Sequence, residues 1–163
     1  MLYFAYGSNM DWNLMRRKCP SSRFFCRALL DRYKLVVARQ SSLWKCGVFG
    51  VIPEEKSQVW GVIYEISPFE LGKLDVSEEY DPLNPTPSCQ RKECLVYKEG
   101  DNNYPLTVFS YFPEVSPNPP PLSIEYINKV ISGAHYWHLP KNYIASLNRL
   151  LPQGPSPSRE QKG

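Results

Sequence analysis

The sequence has no long hydrophobic run and no strong excess of charge of either sign. None of its apolar stretches approaches the roughly 18 residues that a membrane-spanning helix needs. Its 163 residues include 19 Lys and Arg against 16 Asp and Glu, a net charge of +3. No basic run is longer than Arg16–Lys18. This composition predicts neither a membrane protein nor a nucleic-acid-binding protein.

Paired cysteines and metal-ligand clusters are also missing. The cysteines number five, which is odd, and none of them forms a C-x-x-C pair. Both features argue against a disulfide framework and a cysteine-based zinc site. The only two histidines, His135 and His138, have no cysteine or acidic residue close to them in the sequence. We therefore expect no bound metal.

Common catalytic and targeting signals are absent as well. The sequence contains no Walker motif, G-x-G-x-x-G, H-E-x-x-H or G-x-S-x-G, which argues against the enzyme classes that these motifs mark. The first ten residues have no basic segment ahead of an apolar one, so no secretory signal peptide is expected. With the unpaired cysteines, these features predict a cytoplasmic protein.

Proline, by contrast, is abundant, and most of the 16 prolines fall in three clusters. Proline cannot donate a hydrogen bond to a sheet or continue a helix. The clusters at 82–87 and 113–121 therefore predict surface loops, although the run Pro117–Pro121 would also suit a proline-rich adaptor. The third cluster predicts a disordered tail over residues 151–163. The remaining residues, 1–150, are long enough for one domain.

The segments between these clusters favour strands over helices. Runs rich in Val, Ile, Tyr and Phe predict strands at Leu2–Tyr6, Tyr33–Ala38, Gly47–Ile52, Val59–Ile66, Glu93–Tyr97 and Leu106–Phe112. Capping signals predict helices that open near Ser8, at Ser67 and at Ser123, the last ending at Gly133, with a short fourth helix after Pro140. This pattern predicts an α+β fold with a mixed, barrel-like twisted sheet and a few flanking helices.

Glu78 is a candidate general base or acid. At about 100° per residue, Glu78 lies at about 340° from Leu71, between Leu71 and Leu74, whereas Glu79 lies near 80°, towards the rim. A carboxylate on an apolar face loses solvation, which raises its pKa towards the range of a general base or acid. A helix-end glutamate that turns outward or bonds to a backbone amide would fit the same pattern.

The junction Tyr6–Asn9 is a candidate binding loop between a strand and a helix. Gly7 permits a tight turn and a close approach of the backbone to a ligand. Free amides at the start of a helix bind carboxylate or carbonyl oxygens. A plain turn with a helix cap would explain the same residues.

Tyr126 is a candidate cleft residue on the third helix. It lies about 200° around the helix from Ile124, away from an apolar stripe formed by Ile124, Ile127 and Ile131. A core tyrosine would lie on that stripe, so Tyr126 is expected to face a cleft.

In combination, these residues resemble the γ-glutamylcyclotransferase family, which includes the AIG2-like proteins. The likeness extends over residues 2–147 and is greatest to cyclotransferases that act on γ-glutamyl amino acids. The segment Leu74-Asp75-x-x-Glu78 resembles the one that contains the family's catalytic glutamate. Other similar segments are Leu2–Asn9, Arg23–Cys26, Val59–Val62 and Leu139–Tyr143.

The resemblance implies a barrel-like mixed fold and a reaction without a cofactor. The α-amine of a γ-glutamyl group attacks its own γ-carbonyl, giving 5-oxoproline and a free amino acid or amine. Glu78 is then the proton-transfer residue, and the binding partner is a small γ-glutamyl molecule. The implied substrate-binding residues are Tyr3, Phe4, Ala5, Tyr6, Gly7, Ser8 and Tyr126. Whether the chain forms a homodimer is left open.

Two departures from the family pattern leave the substrate open. Close relatives place a glycine after the glutamate, where this chain has Glu79, and the stretch Asp81–Ser88 is expanded. A γ-glutamylamine or another γ-glutamyl conjugate is therefore an alternative substrate. A ligand-binding member of the fold without turnover is a further alternative, although the presence of both the Gly7 loop and Glu78 favours an enzyme.

Overall fold

The computed structural model describes residues 1–152. In this part of the chain, five strands and four α-helices alternate irregularly. They are β1 (Leu2–Ala5), α1 (Trp12–Lys18), β2 (Arg23–Gln40), β3 (Gly47–Glu65), α2 (Leu71–Ser77), β4 (Cys89–Lys98), β5 (Pro105–Pro113), α3 (Ile124–Tyr136) and α4 (Lys141–Asn148). Most of the tail predicted for 151–163 lies outside the described residues, so that tail and the domain boundary at residue 150 stay predictions.

The five strands close into a barrel in the order β1-β3-β2-β4-β5. The strands β2 and β3 form a long antiparallel hairpin. The first strand pairs antiparallel with β3 and parallel with β5, where Tyr3 is opposite Phe109. The sheet is therefore mixed and barrel-like with a few helices outside it, and the predicted fold class is confirmed.

The hairpin strands are much longer than the sequence predicted. The predicted strands Gly47–Ile52 and Val59–Ile66 are parts of one strand, β3, of 19 residues. Between them, Pro53 is paired with Tyr33 and the charged residues that follow are exposed. Because this side of the hairpin faces solvent, polar residues and a proline do not end the strand.

Glycine 133 does not end α3, which continues to Tyr136. A Cβ on Gly133 would lie 2.3 Å from the carbonyl carbon of Met10. Gly133 therefore lets the middle of α3 pack directly on the 3₁₀ turn Ser8–Met10. The predicted helix end was wrong because a glycine needed for close packing resembles one that caps a helix.

The helix starts predicted at Ser67 and Ser123 have the expected serine caps. The helix predicted to open near Ser8 starts later, because Ser8–Met10 is a 3₁₀ turn without a side-chain cap and α1 begins at Trp12. The side chain of Asp11 accepts a hydrogen bond from the amide of Leu14 at 2.9 Å and so begins α1. Ser67 caps a 3₁₀ turn, Pro68–Glu70, that leads into α2. Among residues 1–152, no helix is both long and apolar enough to cross a membrane.

Candidate active site

A cavity opens where β1 ends in the 3₁₀ turn Ser8–Met10. Its wall includes six of the predicted site residues: Tyr3, Tyr6, Gly7, Ser8, Glu78 and Tyr126. The turn after β1, the end of α2, the β2–β3 connection and α3 all contribute to this wall. Residues from distant parts of the chain therefore meet at one end of the barrel.

Phe4 and Ala5 do not belong to this wall. Both are buried in the core and pair with β3, opposite Ile63 and Val62. The carbonyl of Phe4 also accepts a hydrogen bond from the Ser110 hydroxyl at 2.7 Å. Both residues therefore belong to the core and the sheet, and their implied part in substrate binding stays a prediction.

Gly7 lines the cavity at a point where there is little room for a side chain. Its φ of −112° is open to any residue, so the backbone conformation does not require glycine. A Cβ at this position would lie 3.1 Å from the hydroxyl oxygen of Tyr126. Gly7 therefore keeps the turn and the start of α3 close together at the cavity wall.

Glu78 points its carboxylate into the site. It is the residue that follows α2, and its amide donates to the carbonyls of Leu74 at 3.0 Å and Asp75 at 3.1 Å. Its Oε1 accepts a hydrogen bond from Nδ2 of Asn9 at 2.7 Å. The structure thus has the inward orientation that the helical angle predicts, and the alternative of an outward or backbone-bonded carboxylate is wrong.

The side chain of Asn9 is a member of the candidate site that the sequence did not predict. Its Nδ2 also contacts the hydroxyl of Tyr3 at 3.0 Å, and its Oδ1 accepts a hydrogen bond from Nζ of Lys18 at 2.6 Å. Asn9 therefore connects Glu78 to a phenol and to a cation. Its place in the Leu2–Asn9 segment was a signal, but the turn was interpreted through its backbone amides.

Burial and charge act in opposite directions on Glu78. Burial raises the pKa of Glu78, whereas the charge of Lys18, the hydrogen bond from Asn9 and the charge of Arg39 lower it, and the charge of Glu79 raises it. Burial in turn lowers the pKa of Lys18, against the attraction of Glu78. The net pKa of Glu78 lies above its ordinary value of 4.5, which favours a carboxyl that both accepts and returns a proton.

Neighbouring groups in the cavity hold their protons more tightly. Burial raises the pKa of the Cys89 thiol to about 12, with a further contribution from the charge of Glu78. Burial also raises the pKa values of the Tyr3 and Tyr6 hydroxyls well above the usual range. These three groups stay protonated at neutral pH, so the carboxyl of Glu78 is better suited to exchange a proton.

Asp75 fixes the end of α2 that presents Glu78. Its buried carboxylate accepts hydrogen bonds from the Tyr111 hydroxyl at 2.6 Å and from the Arg91 guanidinium. The carbonyl of Tyr111 in turn accepts a hydrogen bond from the Tyr6 hydroxyl at 2.5 Å. A buried carboxylate with two donors is well compensated, so Asp75 anchors α2 to β5 and to the turn after β1.

Tyr126 lies in the cavity wall, but on the buried face of α3. Ile124, a member of the predicted apolar stripe, is 56% exposed, whereas Tyr126 is only 3% exposed. The hydroxyl of Tyr126 accepts a hydrogen bond from the amide of Phe49 at 3.0 Å, and Trp44 packs edge-on against its ring. The predicted stripe was wrong because Ile124 is the first residue of α3 and its side chain faces solvent.

Glu79 and Arg39 form a charged pair in the same wall. Glu79 has a φ of +57°, and its Oε2 lies 2.6 Å from Nη1 of Arg39. Its Oε1 accepts a hydrogen bond from the amide of Ser42 at 2.7 Å. The helical angle predicts that Glu79 faces the rim, but nothing in the local sequence indicates that Arg39 is its partner.

Comparisons with known proteins indicate the family of this chain. The family model described as gamma-glutamyl cyclotransferase, AIG2-like, matches residues 3–128. A Bos taurus gamma-glutamylcyclotransferase is 28% identical over 160 residues, which are 93% of this chain and 79% of that protein. The Homo sapiens gamma-glutamylcyclotransferase is 35% identical over 81 residues, 47% of this chain and 43% of that protein.

A solved structure gives the same result for the fold. A protein described as a gamma-glutamyl cyclotransferase matches with a TM-score of 0.78 and 27% identity, over 96% of this chain and 91% of that one. Because the family model covers most of the chain, the resemblance predicted from the sequence is confirmed: the chain belongs to the gamma-glutamyl cyclotransferase, AIG2-like family.

Proposed function

We propose that this protein converts a γ-glutamyl amino acid or a γ-glutamyl amine into 5-oxoproline and the free amino acid or amine. The observation that carries the proposal is the position of Glu78. Its carboxylate lies in the cavity, with a raised pKa caused by burial, and is held by Asn9 beside the turn that contains Gly7. The names of the bovine relative and of the solved structure support the same reaction.

Glu78 is the proton carrier in this proposal. Its carboxylate removes a proton from the α-ammonium of the substrate, and the resulting amine attacks the γ-carbonyl carbon. A C–N bond forms to close the five-membered ring, and the C–N bond to the leaving amine breaks. Glu78 returns its proton to the leaving nitrogen. Closing the ring removes a second proton from the attacking nitrogen, and the released amine takes up one more proton. The amine therefore leaves as an ammonium, and the protons balance.

The turn at Gly7 and Ser8 is proposed to hold the glutamyl group. Ring closure is intramolecular, so holding the glutamyl chain folded supplies much of the rate. Backbone amides at the start of the 3₁₀ turn have no partner within the turn and suit an anionic oxygen of the substrate. Tyr3, Tyr6 and Tyr126 complete the wall around this group.

The reaction needs only side-chain and backbone groups, so no cofactor is proposed. A cytoplasmic location is proposed because all five cysteines are free thiols, which suits a reducing compartment.

A panel of γ-glutamyl compounds tests the reaction. Purified protein is incubated with γ-glutamyl-alanine, glutathione and ε-(γ-glutamyl)-lysine, and 5-oxoproline is measured by mass spectrometry. We expect release from at least one compound, loss of release in Glu78→Gln, and normal release in Glu93→Gln, which changes an exposed glutamate on β4. Binding of the compounds without any 5-oxoproline would contradict the proposal and favour a ligand-binding protein without turnover.

A further inference from the structure

The cavity contains a second charged group beside Glu78, the pair of Arg39 and Glu79. Both side chains line the cavity and are mostly covered, with 15% of Arg39 and 18% of Glu79 exposed. The pair belongs to a different part of the wall from the Gly7 turn, because Arg39 is near the end of β2, at the β2–β3 connection. Two polar regions thus lie near the proposed proton carrier.

Arg39 has hydrogen-bonding capacity that the protein does not use. Its Nη1 contacts both Oε2 of Glu79, at 2.6 Å, and the carbonyl of Gln40, at 2.9 Å. Its Nε is buried and finds no hydrogen-bond partner among residues 1–152. A guanidinium has five N–H donors in a planar fork that fits a carboxylate. The contacts with Glu79 and Gln40 use Nη1, the Cys89 thiol also interacts with the guanidinium, and the buried Nε is closed to a ligand. The donors that remain for a ligand are those of Nη2.

Arg39 is held by Glu79, a residue with an unusual backbone conformation. A side chain at φ +57° is strained, whereas glycine adopts this conformation freely. The contacts of Glu79 with Arg39 and with the Ser42 amide offset that strain. The Ser42 contact also attaches the end of α2 to the loop that contains Trp44, whose ring packs on Tyr126.

The leaving half of a γ-glutamyl amino acid carries a carboxylate that needs a donor in the cavity wall. Glu78 and Glu79 are balanced by Arg39 and by Lys18, which reaches the site through Asn9. A γ-glutamyl amino acid has a carboxylate on each half and one ammonium, whereas a γ-glutamyl amine lacks the carboxylate on the leaving half. If the glutamyl half occupies the Gly7 turn, the carboxylate on the leaving half needs a donor elsewhere in the wall.

We propose that Arg39 binds the carboxylate of the amino acid that leaves, so that the protein acts on γ-glutamyl amino acids in preference to γ-glutamyl amines. This inference rests on the proposed cyclotransferase reaction. Its geometric basis is a guanidinium that lines the cavity and is held by Glu79 and the Gln40 carbonyl through Nη1, so that neither of these contacts uses Nη2.

Two nearly isosteric substrates test this assignment. γ-Glutamyl-alanine and γ-glutamyl-alaninamide differ in the charge of the leaving half, and 5-oxoproline release gives kcat/KM for each. Because the amide loses a hydrogen bond between two ionised groups, we expect the wild type to favour the free acid by at least about tenfold in kcat/KM. In Arg39→Gln the ratio of acid to amide should approach one, with the change in KM rather than in kcat.

Two further variants control the measurement. Arg39→Lys keeps the charge and loses the planar fork, so its ratio should be intermediate. Arg27→Gln removes a comparable arginine that pairs with Glu99 at 2.5 Å on the outer surface, and it should keep the wild-type ratio. The wild-type ratio needs no variant, so it tests the assignment whether or not Arg39→Gln folds.

The results distinguish a failure of the role of Arg39 from a failure of the cyclotransferase reaction. Equal kcat/KM values for acid and amide in the wild type would overturn the role of Arg39 and leave the cyclotransferase proposal standing. An equal loss on both substrates in a folded Arg39→Gln protein would also overturn it. Absence of 5-oxoproline from every γ-glutamyl compound would overturn the proposed function and, with it, this inference.

Discussion

Nδ2 of Asn9 lies 2.7 Å from Oε1 of Glu78, a contact between residues 69 positions apart in the chain. The same amide group accepts a hydrogen bond from Lys18 through its oxygen. A cation is therefore held one side chain away from the proposed proton carrier. This arrangement links the proton affinity of Glu78 to the helix α1, which does not itself enter the cavity.

Lys18→Met should shift the pH dependence of activity. The charge of Lys18 is the largest influence that lowers the pKa of Glu78, so its removal should raise that pKa further. Glu78 must be ionised to accept the first proton, and activity therefore rises as the pH passes through its pKa. The acid limb of the kcat/KM profile should move to higher pH.

The control for this shift is Arg17→Met, which changes an exposed cation on the same helix. Its profile should overlay that of the wild type. An acid limb that stays in place in Lys18→Met would contradict the assignment of that limb to Glu78.

Gly7→Val should abolish turnover in a folded protein. Even a single Cβ at Gly7 would lie 3.1 Å from the Tyr126 hydroxyl, and valine adds two methyl groups beyond it. Kinetics and near-ultraviolet circular dichroism measure the effect. Gly72→Val is the matched control, because a Cβ there meets nothing within 4 Å; normal turnover in a folded Gly7→Val protein would exclude the turn from the site.

The inward orientation of Glu78 was predictable from the sequence, because it follows from a local helical angle. The contacts of Asn9, Lys18 and Arg39 were not, since each depends on how distant segments meet. Arg39 comes next to Glu79 only after β2 has passed a register shift between Val37 and Arg39. Irregularities of this kind leave no clear signal in the residue pattern.

The same distinction applies to the fold. The apolar runs predicted a mixed barrel, because strand propensity and the few capping signals are local. The length of β3 and the end of α3 were not predicted, because solvent exposure beyond Pro53 and the packing of Gly133 on Met10 are tertiary properties.

Tyr126→Phe should destabilise the protein. The change removes the acceptor of the buried Phe49 amide, and an unsatisfied buried donor costs about 1–3 kcal/mol. In a chain of this size, each 1 kcal/mol lowers Tm by about 2–4 °C. Tyr136→Phe, on an exposed side chain of the same helix, should leave Tm in place, and an equal Tm for both variants would contradict the structural role of the Tyr126 hydroxyl.

Substitutions at Glu79 should reveal its backbone strain. Glu79→Gly and Glu79→Ala both lose the contacts with Arg39 and Ser42, but only alanine keeps a Cβ at φ +57°. Glu79→Gly should therefore be more stable than Glu79→Ala, by about 1 kcal/mol, in urea unfolding. At Val76, an exposed position within α2, the order should reverse, because alanine favours a helix by about 1 kcal/mol over glycine. The same order at both positions would argue against strain at Glu79.

Glu78 carries the proton in the proposed reaction, and kcat of Glu78→Gln is the measurement that decides this role. Glutamine keeps the size of the side chain and an acceptor for Asn9, but it cannot take up a proton. We predict a fall in kcat of at least about 10²-fold, with substrate binding largely kept and with Tm equal or higher, because an amide is easier to bury than a carboxylate. Glu79→Gln, one residue away, should retain kcat. An active Glu78→Gln protein beside an inactive Glu79→Gln protein would show that Glu78 is not the proton carrier.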